Sequence, residues 1–368
     1  MNSVIHTYSP LAQMTDLLHP AHAPHTVPAL KVFPDKLYVV AVVSNPIRYH
    51  SRYRLYRAFE KHVEGAGAIL YTVEMAFGGR PFEVTDAGNP RHVQVRSTHE
   101  LWHKENLINI GISRLPSEAK YIAWIDADVE FTRPDWCQET LHQLQHYSVV
   151  QLFSHAVDLG PDYSPVDMAY GWIESVKLGL PFAGANKKGV EVSASGKDVD
   201  GSVRQLKFGL KSQPYIKGAW HSGLAWAARR EAIDALGGLL DIAILGSADR
   251  NMAAGLLGFM PQTIDPTFSP AYKSALLDWQ DRAERYVRRN VGQVPGTIFH
   301  FFHGRKAQRG YTSRWKILSE FQFDPYTDLM KDSQGLWQLR DKGDARSIGL
   351  RDAIRSYFRS RNEDGTEL

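Results

Sequence analysis

Tyr121-Ile122-Ala123-Trp124-Ile125-Asp126-Ala127-Asp128-Val129-Glu130-Phe131 reads as a buried apolar strand that ends in two aspartates separated by one residue. Successive strand side chains point to opposite faces, so Asp126 and Asp128 share a face. They sit at the carboxyl edge of a sheet, where α/β proteins bind ligands. Two oxygen donors there suit Mg²⁺ or Mn²⁺ on a diphosphate, because a hard divalent ion takes carboxylates on one side and phosphate oxygens on the other. The same spacing also fits a pair of solvated aspartates at a strand-to-turn junction, and the surrounding sequence has to decide.

Upstream, residues 37–43 form an apolar strand that runs into Ser44-Asn45-Pro46 and then a helix over about 51–64, a β-loop-α unit whose turn is placed to hold a ligand. Residues 68–74 and 92–96 read as further strands. Residues 100–115 carry Leu101, Leu107, Ile108 and Ile112 at helical spacing. This alternation predicts an α/β fold with a mostly parallel central sheet covered by helices. Residues 159–214 lose periodicity and read as a loop-rich stretch for acceptor contacts or a lid. After them come an apolar segment at 219–227, a helix at about 229–236, and the Gly-flanked Leu245-Gly246-Ser247-Ala248-Asp249. A second apolar strand, 297–302, ends at His303-Gly304. Pro20, Pro24 and Pro28 prevent a continuous helix in residues 1–34, which read as an extended arm.

With 368 residues, 43% hydrophobic and 23% charged, the chain has material for one large domain or two modest ones. The single Cys137 excludes an intramolecular disulfide and a Cys-built zinc site. No stretch approaches the roughly 18–20 apolar residues of a membrane span. No basic start precedes an apolar segment near the N-terminus, so the expectation is a cytoplasmic protein. A net charge of +3 names no partner, although Arg285, Arg288, Arg289, Arg305, Lys306, Arg309, Arg314 and Lys316 gather in the C-terminal third.

Four segments in order, spanning about 37–318, resemble the glycosyltransferases of the GT-A fold, a Rossmann-like nucleotide-sugar-binding architecture. Among them the chain looks most like the inverting β-1,4-galactosyltransferase group. Lys104-Glu105-Asn106-Leu107-Ile108-Asn109-Ile110-Gly111, followed by the strand into Asp126-Ala127-Asp128, resembles that group's helix before its D-x-D strand. Asn45-Pro46-Ile47-Arg48 is similar to the nucleotide-binding turn after the first strand. Gly218-Ala219-Trp220-His221-Ser222-Gly223, a helix, and Gly246-Ser247-Ala248-Asp249 resemble the glycine pair, helix and G-G-E-D segment. His303-Gly304-Arg305-Lys306 resembles the metal-ligand histidine with its basic loop. Two departures stand out: Ala248 replaces the family's Glu, and Ile244-Leu245 replace its aromatic acceptor platform.

The resemblance implies a GT-A domain over 35–330, with the arm (1–34) before it and a C-terminal helical extension (331–368) after it. It implies a metal-dependent, inverting hexosyltransferase that uses a nucleotide-sugar donor, a UDP-sugar, with Mn²⁺ or Mg²⁺. Asp128 would be the direct metal ligand, with Asp126 on the metal or ribose. His303 would be a further ligand, with His300 as its substitute, and an imidazole among the ligands favours Mn²⁺. Asp249 would be the general base. Pro46, Arg48, Lys104, Trp220, Gly223, Arg305 and Lys306 would bind the donor, with Arg309 in the same basic loop, and Trp226 could join Trp220 in walling the sugar. The acceptor stays open between a glycan, a small molecule and modified DNA. Transfer to a hydroxymethylated pyrimidine, as in phage-type enzymes, is the alternative. A phosphoesterase or nuclease and a non-catalytic nucleotide-sugar-binding module are readings of other classes.

Overall fold

Seven of the eight residues of the first strand, β1 (Leu37–Ser44), are apolar, and they serve two cores at once. Tyr38 and Val40 belong to one buried cluster, while Leu37, Val39 and Ala41 belong to the other, as expected of a strand covered on both faces. The computed structural model describes residues 35–180, 182, 216–305, 309–310 and 313–365. The arm at 1–34, most of the loop-rich stretch 159–214, and Lys306 lie outside the described residues.

The chain continues through α1 (His50–Gly65), β2 (Ile69–Phe77), β3 (His92–Ser97), α2 (Lys104–Ser113), β4 (Tyr121–Ile125), β5 (Val129–Phe131) and α3 (Trp136–His146). Next come β6 (Val149–Gln151), β7 (His155–Leu159), β8 (Pro165–Gly171), α4 (Trp172–Lys177), β9 (Ile216–His221), β10 (Ala225–Arg229), α5 (Arg230–Leu236) and α6 (Ala248–Gly255). The last part holds α7 (Pro270–Arg282), β11 (Val291–Gln293), β12 (Thr297–His300), α8 (Trp315–Glu320), α9 (Pro325–Asp328), the hairpin β13 (Leu329–Lys331) and β14 (Trp337–Leu339), and α10 (Ala345–Ser360). No described helix is long and apolar enough to cross a membrane.

Seven strands form the main sheet in the order β11-β6-β10-β4-β1-β2-β3. The sheet is mixed but mostly parallel, as expected: four of its six strand pairings are parallel, and both exceptions involve β10. β1 pairs parallel with β2 and β4, but β10 runs antiparallel to both β4 and β6. Apolar content alone does not encode strand direction, and β10 is reached from β4 only after a long excursion through other elements. A second sheet, β5-β12-β7-β8-β9, was not anticipated. The 121–131 stretch breaks between the two sheets: β4 stays in the first, and β5 pairs antiparallel with β12 in the second. The aspartates therefore occupy the crossing between sheets instead of extending one strand.

Helix α10 places Leu350, Ile354, Tyr357 and Phe358 in the same core that holds α2 and α6. Close packing of α2 on the sheet depends on Gly111, where an added Cβ would lie 2.5 Å from Val40 Cγ1 and 2.9 Å from Val73 Cγ2. Alanine would gain about 1 kcal/mol in helix propensity, whereas overpacking a filled core costs about 1–3 kcal/mol. Gly111→Ala is therefore expected to lower the unfolding midpoint, and an unchanged or raised midpoint in urea would show that the contact yields.

Candidate active site

Two backbone hydrogen bonds fix the turn between the sheets. Asp126 N–H donates to Leu224 O (2.7 Å), and Phe301 N–H donates to Asp128 O (2.8 Å). The second bond pins Asp128 beside the end of β12, which carries His300, with His303 just beyond it. His303 Nε2 lies 3.1 Å and His300 Nε2 3.9 Å from Asp128 Oδ2. The two Nε2 atoms are 3.3 Å apart. One ligand atom from each of the three residues fits within 4.8 Å, a group able to hold a metal ion.

The rings are oriented from behind. His300 Nδ1 bonds to Asp158 Oδ1 at 2.7 Å, and β7 places that aspartate alongside β12. The Glu363 carboxylate lies 3.6 Å from His303 Nδ1. Metal-binding imidazoles ordinarily have such a carboxylate at the far nitrogen, which leaves the near nitrogen's lone pair for the ion. Asp128 Oδ1 is buried without a hydrogen-bond partner. Burial would push the Asp128 carboxyl up, but His303, His300 and Arg309 hold it well below the usual carboxylate range. A buried carboxylate with one orphaned oxygen, its other oxygen beside two imidazole nitrogens, fits a divalent cation, and the nitrogen donors favour a transition metal such as Mn²⁺ over Mg²⁺.

Asp126 is not part of this group. Its Oδ1 lies 2.5 Å from Lys104 Nζ, in the first turn of α2. Burial works against the Lys104 charge, yet Asp126, Glu105 and Asp249 outweigh it and raise the lysine pKa, so the ammonium persists. Asp249 lies in the first turn of α6, after Ser247 in a left-handed conformation. Gly223 makes room for it: a Cβ there would stand 2.7 Å from Asp249 Oδ2.

These groups open onto one cavity of about 560 Å³. Pro46, Lys104, Asp126, Asp128, Trp220, Gly223, Asp249, His300 and His303 all line it. Arg48 and Arg305 do not. The Arg48 guanidinium pairs instead with Glu83 at 2.7 Å, away from the cavity where it was expected to bind the donor. Arg52, one turn along α1, reaches the cavity in its place, together with Arg250, Arg309, Arg314 and Arg361. Trp226 is a core residue whose Nε1 donates to Ser222 O (2.7 Å), holding the turn that presents Gly223. Trp102, Trp220 and Trp315 give the cavity its aromatic walls.

The chain's last described turn closes one side. Asp364 accepts from His50 N and Ser51 N at the start of α1, and Glu363 is buried against Arg52 (2.5 Å) and Arg361 (2.8 Å). Against the burial that pushes it up, Arg52, His303 and Arg361 hold Glu363 well below the usual carboxylate range. Sequence reasoning missed Asp158, Glu363, Arg361 and Arg52 because each acts through a partner far away in the chain. Only Arg52, on the helix after the Asn45-Pro46 turn, left a local clue.

The presence of both imidazoles in one group makes a prediction. His300→Ala and His303→Ala should each weaken Mn²⁺ binding by at least about tenfold, since even losing a carboxylate behind a ligand costs 10–100-fold. Counting free Mn²⁺ by electron paramagnetic resonance measures this. A variant that binds as the wild type does would remove its residue from the site.

No protein-family model matches the chain, and no curated protein matches it in sequence. Solved structures similar to it include the catalytic domain of Drosophila β1,4-galactosyltransferase 7 in complex with xylobiose, at 9% identity and TM-score 0.35, with 87% of this chain and 99% of that chain covered. A mutant of the same enzyme in complex with manganese, UDP-Gal and xylobiose matches at 9% identity and TM-score 0.35, covering 87% and 98%. A protein described as a nucleotide-diphospho-sugar transferase, from Desulfovibrio desulfuricans G20, matches at 12% identity and TM-score 0.29, covering 88% and 99%. Likeness at these TM-scores carries no weight for function, which has to be read from the site's own chemistry.

Proposed function

We propose that the chain is a metal-dependent, inverting glycosyltransferase that moves a sugar from a UDP-sugar to an acceptor hydroxyl. The observation that supports this most is the Asp128, His300 and His303 group, set in the same cation-lined cavity as Asp249. When bound, a divalent ion there supplies positive charge for the leaving diphosphate. Arg52, Arg309 and Arg314 bring cationic forks to the same cavity, the side-chain type that fits phosphate oxygens best. Lys104 keeps Asp126 paired. Asp249 takes the acceptor's hydroxyl proton as the acceptor oxygen bonds to the anomeric carbon. The bond from that carbon to the diphosphate oxygen breaks, and its electron pair leaves with the nucleotide. A single displacement from the side opposite the diphosphate inverts the anomeric centre.

Two-ion phosphoesterases hold ions about 3.5–4 Å apart, and one group of three ligands occurs among the described residues, which suits a single ion. A thermal-shift panel of UDP-sugars and other nucleotide-sugars, with and without Mn²⁺, tests the reading, because a ligand of the native state raises the unfolding midpoint by mass action. A UDP-sugar is expected to give the largest rise, and only with Mn²⁺. No rise with any nucleotide-sugar would refute the proposal.

A further inference from the structure

Arg250 takes no part in the chemistry above, yet it lines the same cavity, one residue after Asp249 in the first turn of α6. Other cations of the cavity are already matched: Arg52 and Arg361 share the Glu363 carboxylate, and Lys104 holds Asp126. Among the described residues, none accepts a hydrogen bond from the Arg250 guanidinium or forms an ion pair with it. Its side-chain contact is the Trp315 ring, with Cζ 5.6 Å from the ring centroid. The edge of the same indole carries a second donor. Ser247 Oγ accepts from Trp315 Nε1 (3.2 Å) and from Arg314 Nη2 (2.5 Å). Those two bonds fill the hydroxyl's lone pairs, so its hydrogen has to be donated onward, and no described group takes it. Resting on the transferase reading, we propose that Arg250 and Ser247 bind an anionic group, a carboxylate or a phosphate, carried by the acceptor near the hydroxyl that Asp249 deprotonates. The acceptor is then a hydroxy acid or a phosphate ester, and not a neutral alcohol.

The chemistry of the two groups selects such a ligand. Water can serve either donor in an empty cavity, but a guanidinium and a hydroxyl with filled lone pairs together favour atoms that accept and do not donate. Carboxylate and phosphate oxygens are of that kind, whereas a neutral alcohol brings a hydrogen that neither group can receive. The guanidinium's donors lie in one plane and match two oxygens of an anion at once, and stacking on the indole face leaves the edge of that plane open. Burial makes the Arg250 charge costlier and Asp249 offsets part of that cost, but an arginine keeps its proton throughout the working pH range. A partly desolvated cation without a matching anion gains most when a ligand supplies one. Ser247 stands two residues before Asp249 and Arg250 one after it, so an anion held between them keeps its carrier beside the base.

The experiment is a calorimetric titration of the full chain saturated with Mn²⁺ and UDP, so that the diphosphate site is already filled. The probes are matched pairs, D-glucuronate against D-glucose and glycerol 3-phosphate against glycerol. In at least one pair the anion is expected to bind more tightly than its neutral partner, and to weaken as NaCl is raised. Arg250→Gln should weaken that anion about tenfold or more, the effect of a hydrogen bond to a charged group, with UDP affinity held within about twofold and the neutral probe unaffected. Ser247→Gly, which removes the hydroxyl and suits the positive φ of 77° at that position, should weaken the anion in the same direction. The inference is overturned if neither anion outbinds its neutral partner, or if either variant keeps the wild-type preference. It is equally overturned if Arg250→Gln weakens UDP-glucuronate more than UDP-glucose while sparing the free anions, since the anion would then belong to the transferred sugar. Failure of the wild type to bind UDP or any UDP-sugar with Mn²⁺ present overturns the transferase reading and this inference together, whereas intact UDP binding without an anion preference overturns this inference alone.

Discussion

Asp128→Asn is expected to abolish Mn²⁺-dependent UDP binding while leaving the protein folded. The amide preserves shape and can still accept a hydrogen bond, but it removes the one anionic ligand from a group whose other two members are neutral when they bind metal. Two imidazoles and Arg309 also hold the Asp128 carboxyl ionised against burial. Without that charge, a hard divalent ion has two imidazoles and a neutral amide, and the diphosphate loses its anchor. Calorimetric titration of UDP, with and without Mn²⁺, measures the effect. Metal-dependent binding at the wild-type level in a folded variant would take Asp128 out of the site.

Asp249→Asn should separate binding from chemistry. Asp249 is not among the three residues of the metal group, so UDP and Mn²⁺ affinity should stay within about twofold of the wild type. Transfer should fall by roughly 10²-fold or more, the usual scale for losing general acid–base assistance. Gly223 leaves just enough space for the Asp249 carboxylate, and Asn has the same volume, so misfolding is not a competing explanation. The product should carry the anomeric configuration opposite to that of the donor. Near-normal turnover in the variant, or retention read from the anomeric proton's coupling constant, would reject Asp249 as the base.

One end of the cavity was legible in the sequence, and the reason is local. Residues 37–43, the Asn45-Pro46 turn and the aspartates after β4 all lie within short strand-turn-helix units, so apolar pattern and turn chemistry are enough to place them. What stayed hidden depends on contacts across the fold. The switch of β5 into a second sheet cannot be read from Val129-Glu130-Phe131, because three alternating residues fit either sheet. His300 and His303 both face Asp128 because β12 packs between β5 and β7, whereas sequence spacing alone left them as alternatives. That Arg52 and not Arg48 lines the cavity has a similar reason. Arg48 has a positive φ of 67°, which turns it toward Glu83, while the helix carries Arg52 inward. Residues 331–368 read from sequence as a helical extension, but α10 packs into the main core and Glu363 stands behind His303. Nothing in the sequence of that segment carries such a signal.

Pulsed electron paramagnetic resonance on the protein with one equivalent of Mn²⁺ and UDP asks whether a single ion touches both the imidazoles and the diphosphate. Nitrogen couplings from histidine and a phosphorus coupling from UDP are expected on the same ion, and the nitrogen couplings should weaken in His300→Ala and in His303→Ala. A phosphorus coupling with no histidine nitrogen would mean that the ion rides on the nucleotide alone. The assignment of Asp128, His300 and His303 as the metal-binding centre would then be wrong.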